Sequence, residues 1–115
     1  QENLQKIFDT IEDFLFVIDI ETGSILKGNR VFEKRLGYSN KELLKMNYLD
    51  LYPPDRWKEA ENVMKTIVNG KKKVCTIPLR TKHGNLIQVE TTVYIEKFAG
   101  RDVIIGLSRE TSENS

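Results

Sequence analysis

Leu4, Ile7, Phe8 and Ile11 recur at the three- and four-residue spacing of one helical face, with Glu, Gln, Lys and Asp between them. This predicts a short amphipathic helix over residues 2–12. The pattern then changes period. "FLFVIDI" (14–20) is an apolar run rich in β-formers and reads as a buried strand. "ETG" (21–23) supplies a tight turn, and "SILKG" (24–28) reads as the returning strand.

The middle of the chain is helical and heavily punctuated. Asn29 is placed to cap a helix whose Val31, Phe32 and Leu36 face inward, and Gly37 to close it. Ser39 and Glu42 form an S-x-x-E capping box before Leu43 and Leu44. Asn47 and Asp50 repeat that logic around Tyr48 and Leu49. "YPPD" (52–55) breaks the chain again. A longer helix is predicted over 54–69, with Trp57, Ala60, Val63, Met64, Ile67 and Val68 as its apolar stripe. Glu59 and Glu61 early and Lys65 late suit the helix dipole, and Asn69-Gly70 ends it.

The last third alternates. Cys75, Ile77 and Leu79 share one parity in a strand expected over 73–80. Ile87, Val89, Thr91, Val93 and Ile95 share one face of a strand over 86–96, while Gln88, Glu90, Thr92, Tyr94 and Glu96 take the other. That pattern fits one face on a core and one in water. "FAGRD" (98–102) turns the chain into a last strand, "VIIGLS" (103–108). Long antiparallel hairpins with the helices gathered on one face predict an α+β fold.

Composition narrows the function classes. A length of 115 residues suits one domain. With 39% hydrophobic and 30% charged residues, the chain has the balance of a globular domain rather than a disordered one. Lys plus Arg is 18 and Asp plus Glu 17, which disfavours a dedicated nucleic-acid surface; Lys71-Lys72-Lys73 reads as a solvated run. The single cysteine, Cys75, allows no internal disulfide and fits a reducing, cytoplasmic setting. No apolar run approaches the ~18 residues of a membrane span, so no direct membrane contact is expected. A start at Gln1 and an end on "RETSENS" read as a domain cut from a longer protein, which itself could be membrane-anchored.

In this order the elements resemble a PAS domain over nearly the whole length. Gly23-x-Ile25 followed by Asn29-x-Val31-Phe32 is similar to the family's G-x-I-x-x-x-N-x-A-F. Leu36-Gly37-Tyr38-Ser39 with Glu42-Leu43 is similar to L-G-Y-s-x-e-E-L, and Pro54-Asp55-Arg56 matches the proline–acid step that opens the long helix. "TKHGN" (81–85) resembles the family's K-D-G-x hairpin; Gly106 and Glu113 fit its closing run. Met46 stands where the family usually has glycine, His83 where it has aspartate, and Glu110-Thr111-Ser112 replaces D-I-T. The resemblance implies a five-stranded antiparallel sheet in order 2-1-5-4-3, with helices on one face around a small cavity. It also implies a sensory and interaction role, with residues 1–13 as a flanking helix, 14–109 as the core and 110–115 as the start of a linker. The compact style is most similar to the cytoplasmic PAS modules of prokaryotic two-component histidine kinases.

The resemblance also frames the chemistry. The flavin photosensor branch needs a cysteine where this chain has Leu49, and a glutamine where it has Ser108. The haem branch needs a histidine on the long helix, and 54–69 contain none. Neither photoactive flavin nor haem is therefore expected, and no cofactor is evident. His83, the only histidine, belongs to a tight hairpin, where a polar residue before glycine is what the turn requires. The candidate pocket lining is Val17, Phe32, Leu36, Leu51, Trp57, Met64, Ile67, Ile77, Leu79, Val89, Thr91, Val93 and Ile104, with Ser108 beside it. Such a cavity can hold a small, weakly polar ligand or be filled by its own side chains. Leu4, Ile7, Phe8 and Ile11 are the candidate surface for a homodimer and for signal transfer.

Three functions compete. The first is a sensor and dimerisation module passing a signal to a kinase domain of the same chain. The second is a receptor for non-photochemical flavin or a metabolite, in a cyclase or transcription regulator. The third is a small α+β enzyme, for which Asp19 and Glu21 are the only visible acid pair, and no metal site or catalytic set supports it.

Overall fold

The computed structural model describes residues 6, 8–70 and 74–111. Strand β1 (Phe14–Asp19) is buried along its whole length, on both faces. It pairs antiparallel with β2 (Ile25–Gly28) on one side and with β7 (Arg101–Glu110) on the other. β7 continues to β6 (Val89–Phe98), and β6 to β3 (Val74–Cys75). The sheet order β2-β1-β7-β6-β3 is the expected 2-1-5-4-3 once the strands of this sheet alone are counted.

Both faces of β1 are apolar because both are covered. Phe14, Phe16 and Ile18 point into the main core with Phe32, Leu36, Leu43, Leu51, Ile67 and Ile104. Leu15 and Val17 point the other way, onto Phe8 and Val103, with Ile11, Phe98 and Ile105 packed around them. Residues 8–10 are helical and Phe8 packs on this outer face; the helix expected over 2–12 ends at Thr10. Leu4 and Ile7 lie outside the described residues.

The helices follow their caps. Helix α1 (Arg30–Leu36) starts at Asn29, whose side chain accepts from the Phe32 N–H, and ends at Gly37 in the left-handed region, φ 87°. Helix α2 (Asn40–Leu43) carries the Ser39–Glu42 capping box with both of its hydrogen bonds. A 3₁₀ turn, Tyr48–Leu51, carries a second box from Asn47 and Asp50. The long helix begins as a 3₁₀ turn at Pro54–Arg56 and becomes α3 at Trp57–Val68.

The third part of the chain differs from expectation in three respects. The strand expected over 73–80 is two strands. Val74–Cys75 joins the main sheet, whereas β4 (Leu79–Arg80) pairs with β5 (Leu86–Ile87) as a separate hairpin. Pro78 lies at the break and has no N–H to give a ladder. The strand expected over 86–96 correspondingly divides at Gln88, whose carbonyl instead accepts from the Thr111 N–H at 2.9 Å. The last hairpin is tighter than expected. Phe98 faces Arg101 across a two-residue turn in which Ala99 and Gly100 both have positive φ, 53° and 78°.

Candidate functional site

The interior between sheet and helices is organised by one large residue over one small one. Phe16 on β1 is register-paired with Gly106 on β7. Its ring lies over that glycine so closely that a Cβ there would sit 2.4 Å from Cζ. The same ring stacks on Phe32, centroids 5.0 Å apart and planes 28° off parallel, while Phe32 meets Phe14 edge-on at 6.5 Å. What remains is a cavity of about 30 Å³, lined by Phe16, Ile18, Tyr48, Tyr52, Ala60, Val63, Met64, Ile67, Cys75, Val93 and Ile104. One water needs at least ~10–15 Å³, whereas pockets for drug-sized ligands hold about 300–1,000 Å³. In this conformation the space has room for a water or two and is otherwise filled by the protein. Tyr48, Val63 and Met64 are only half-buried, so the cavity reaches the surface between α3 and the Tyr48–Leu51 turn.

Four of the expected lining residues meet at this cavity: Met64, Ile67, Val93 and Ile104. Phe32, Leu36, Leu51, Ile77, Leu79 and Val89 are buried in the same core but away from the cavity wall. Thr91 and Ser108 face each other across β6 and β7, fully buried, and their hydroxyls share a hydrogen bond of 2.5 Å. Two expectations are corrected. Val17 faces the outer side of the sheet, because successive strand residues alternate and it sits one position from Phe16 and Ile18. Trp57 stays 37% exposed where α3 begins, with Nε1–H donating to the Tyr52 carbonyl at 3.0 Å, so it packs at the rim and stands outside the wall of this cavity.

Seven lining residues are absent from the expected set, and four of them have two origins. Ala60 and Val63 belong to the α3 stripe and were visible there. Phe16 and Ile18 were hidden because β1 is apolar at every position, which leaves its two faces indistinguishable by pattern. Tyr52 is buried, and burial, then the neighbouring Cys75 and Tyr48, pushes its phenol well above the ordinary tyrosine range. Leu49 is half-buried and packs against the core.

The charged candidates have structural duties. Asp19 Oδ1 accepts from the N–H groups of Glu21 and Thr22 at 2.8 and 3.2 Å, and Oδ2 accepts from Arg101 Nη1 at 2.8 Å. Burial raises its pKa, but the Thr22 amide, the Arg101 guanidinium and the Glu21 amide outweigh that and hold the carboxyl below the ordinary range. Asp19 thus ties the β1–β2 turn to the β6–β7 hairpin. His83 lies exposed at the tip of the small hairpin, closed by Thr81 N–H to Asn85 O at 2.8 Å, with Gly84 at φ 92°. Among the described residues no group of His, Cys, Asp and Glu could hold a metal, and no helix is long and apolar enough to cross a membrane.

The outer face of the sheet carries a second feature. Phe8, Ile11, Leu15, Val17, Phe98 and Ile105, with Lys27, line an apolar groove of about 200 Å³. The Lys27 ammonium sits 4.9 Å from the Phe8 ring centroid, a cation–π contact at its rim.

A family model described as the PAS fold matches residues 2–106. A curated relative, the methyl sulfide methyltransferase-associated sensor of Methanosarcina acetivorans, is 27% identical over 113 residues. That match takes in 98% of this chain and 11% of the relative's length. A PAS domain from Desulfitobacterium hafniense superposes with a TM-score of 0.82 at 25% identity, over 96% of this chain and 100% of that one. A domain of a sensory box sensor histidine kinase/response regulator from Geobacter sulfurreducens gives 0.79 at 22% identity, over 94% and 91% of the two chains.

Proposed function

The chain belongs to the PAS family of sensory domains, and from that premise we propose that it works as a cofactor-free relay. It pairs with a second copy through the outer sheet face and its leading helix. It passes the resulting change to an output domain of the same polypeptide, a histidine kinase in a two-component system. One observation carries the relay over the receptor: Phe16 and its neighbours occupy the interior, leaving about 30 Å³. Signal then enters as a shift between packing arrangements rather than as a bound chromophore. The domain itself performs no catalysis, works in the cytoplasm and contacts neither nucleic acid nor membrane. The Geobacter sulfurreducens likeness lends the kinase assignment its support, and the Methanosarcina acetivorans relative is itself a sensor.

Light scattering on the purified chain tests the pairing. A dimer at tens of micromolar, lost on Ile105→Lys, is the expected result; a monomeric wild type refutes that part. Absorbance and native mass spectrometry test the relay, since a retained chromophore or metabolite would replace it with the receptor reading. The half-buried mouth at Tyr48, Val63 and Met64 is what favours that second reading. The kinase assignment fails if the full-length protein, given ATP, forms no acid-labile phosphohistidine.

A further inference from the structure

Helix α1 touches three parts of the molecule at once. Its cap, Asn29, is fully buried and its side-chain amide is saturated. Oδ1 accepts from the Leu15 and Phe32 N–H groups, each at 3.1 Å. Nδ2 donates to the carbonyls of Ile11 at 3.2 Å and Asp13 at 2.9 Å. The first N–H of the helix, at Arg30, reaches the Asp9 carboxylate at 3.2 Å. The start of α1 therefore grips the incoming segment from Asp9 to Leu15.

The last turn of α1 grips the outgoing segment. Arg35 Nη2 lies 2.9 Å from Oε1 of Glu110, the final residue of β7, and the guanidinium stands 5.5 Å from the Phe14 ring centroid. Between the two grips Phe32 faces inward, stacked on Phe16, the side chain that fills the cavity. A helix of seven residues has little internal freedom, so a displacement of Phe32 is a displacement of the helix and of what its ends hold.

We propose that α1 is the transmission element of this domain, coupling the packing around Phe16 to the relative placement of the incoming and outgoing segments. This rests on the sensory reading above. The two grips differ in kind. Asn29 is buried with every donor and acceptor used, so it holds through any modest change. Arg35 and Glu110 are half-exposed, 47% and 48%, so their pair is weak and easily exchanged for water. The outgoing end is the one that lets go. In the state described here it is closed.

Amide hydrogen exchange in the 115-residue chain tests the coupling. Arg35→Glu cuts the outgoing grip. The expected result is exchange about two- to fivefold faster at Arg30 and Phe32, the amides held by Asp9 and Asn29 at the opposite end of the helix. Thr92 and Tyr94, on the far strand β6, stay unchanged, and combining Arg35→Glu with Glu110→Arg brings the rates back. Phe16→Leu is expected to change exchange at Glu110 and Thr111 as well. If Arg35→Glu alters only Glu110 and Thr111, the two ends are independent and the proposal is wrong. Acceleration that extends equally to Thr92 and Tyr94 marks a general loss of stability and also overturns it, as does a reversed pair that restores nothing. None of these readouts involves pairing, ligand or kinase output, so failure here and failure of the sensory reading are separately visible.

Discussion

Thr91 and Ser108 bury two hydroxyls that satisfy each other, and a buried hydroxyl without a partner is costly. Thr91→Val or Ser108→Ala alone is expected to lower unfolding free energy by about 1–3 kcal/mol, while the double replacement costs clearly less than the sum. Urea unfolding of the four proteins in the cycle measures this. Ala99 offers the opposite case. Its φ of 53° is one that an L-residue other than Gly, Asn or Asp adopts at a penalty. Ala99→Asn or Ala99→Gly is expected to raise stability by roughly 0.5–1 kcal/mol, read as a higher denaturation midpoint. Asp19 adds a pH signature. Its folded-state pKa lies below its unfolded value, so the unfolded chain binds more protons in acid. The stability it contributes is present above the unfolded carboxylate range and is lost as pH falls through the folded value. Asp19→Asn should therefore flatten the acid limb of a stability–pH profile as pH falls through and below the ordinary carboxylate range of about 4. An acid limb identical to wild type would show that folding does not lower the Asp19 pKa.

At the scale of elements, the helices and 3₁₀ turns from α1 to α3 were legible because each start carries its own chemical mark: Asn29, Ser39 with Glu42, Asn47 with Asp50, and Pro54. The strands were legible where alternation reports one buried face, as in Val89, Thr91 and Val93. They were misread where a strand changes partner. Pro78 was plain in the sequence, but Cys75, Ile77 and Leu79 kept their parity across it and all three are buried, so the pattern masked the break. The division at Gln88 leaves no local mark, because the same alternation serves the small hairpin before it and the main sheet after it. Site residues were lost for a related reason, since nothing in "FLFVID" says which alternate residues face the helices. The pairing of Phe16 with Gly106 is a relation between strands, and only the register reveals it. It yields a prediction about the elements it joins. Gly106→Ala must push the Phe16 ring out of its site, and a well-packed core answers with a loss of about 1–3 kcal/mol. Adding Phe16→Leu should recover part of it, as thermal melts would show.

For the whole molecule, the interior divides what the fold allows from what this sequence chooses. Beneath the sheet Phe14, Phe16 and Phe32 pack their rings against one another, and a cavity of about 30 Å³ remains beside Phe16. Phe16→Ala should cost about 3–5 kcal/mol and open an apolar void. A small aromatic such as indole is expected to bind there and raise the melting temperature of the variant while leaving wild type unaffected. Equal shifts in both proteins would show that the wild-type interior already admits ligands. The central strand pair has a consequence of another sort. Phe14 at the start of β1 lies opposite Ser108 near the end of β7, so the polypeptide arrives and departs side by side. A host protein can take up such a unit at a single point, as one adds a bead to a string by a knot rather than by stretching the thread. Copies can be duplicated in series, or one exchanged for another, with the flanking segments scarcely displaced. Heredity can thus rearrange this domain as a unit, because the first and last strands of its sheet share one doorway.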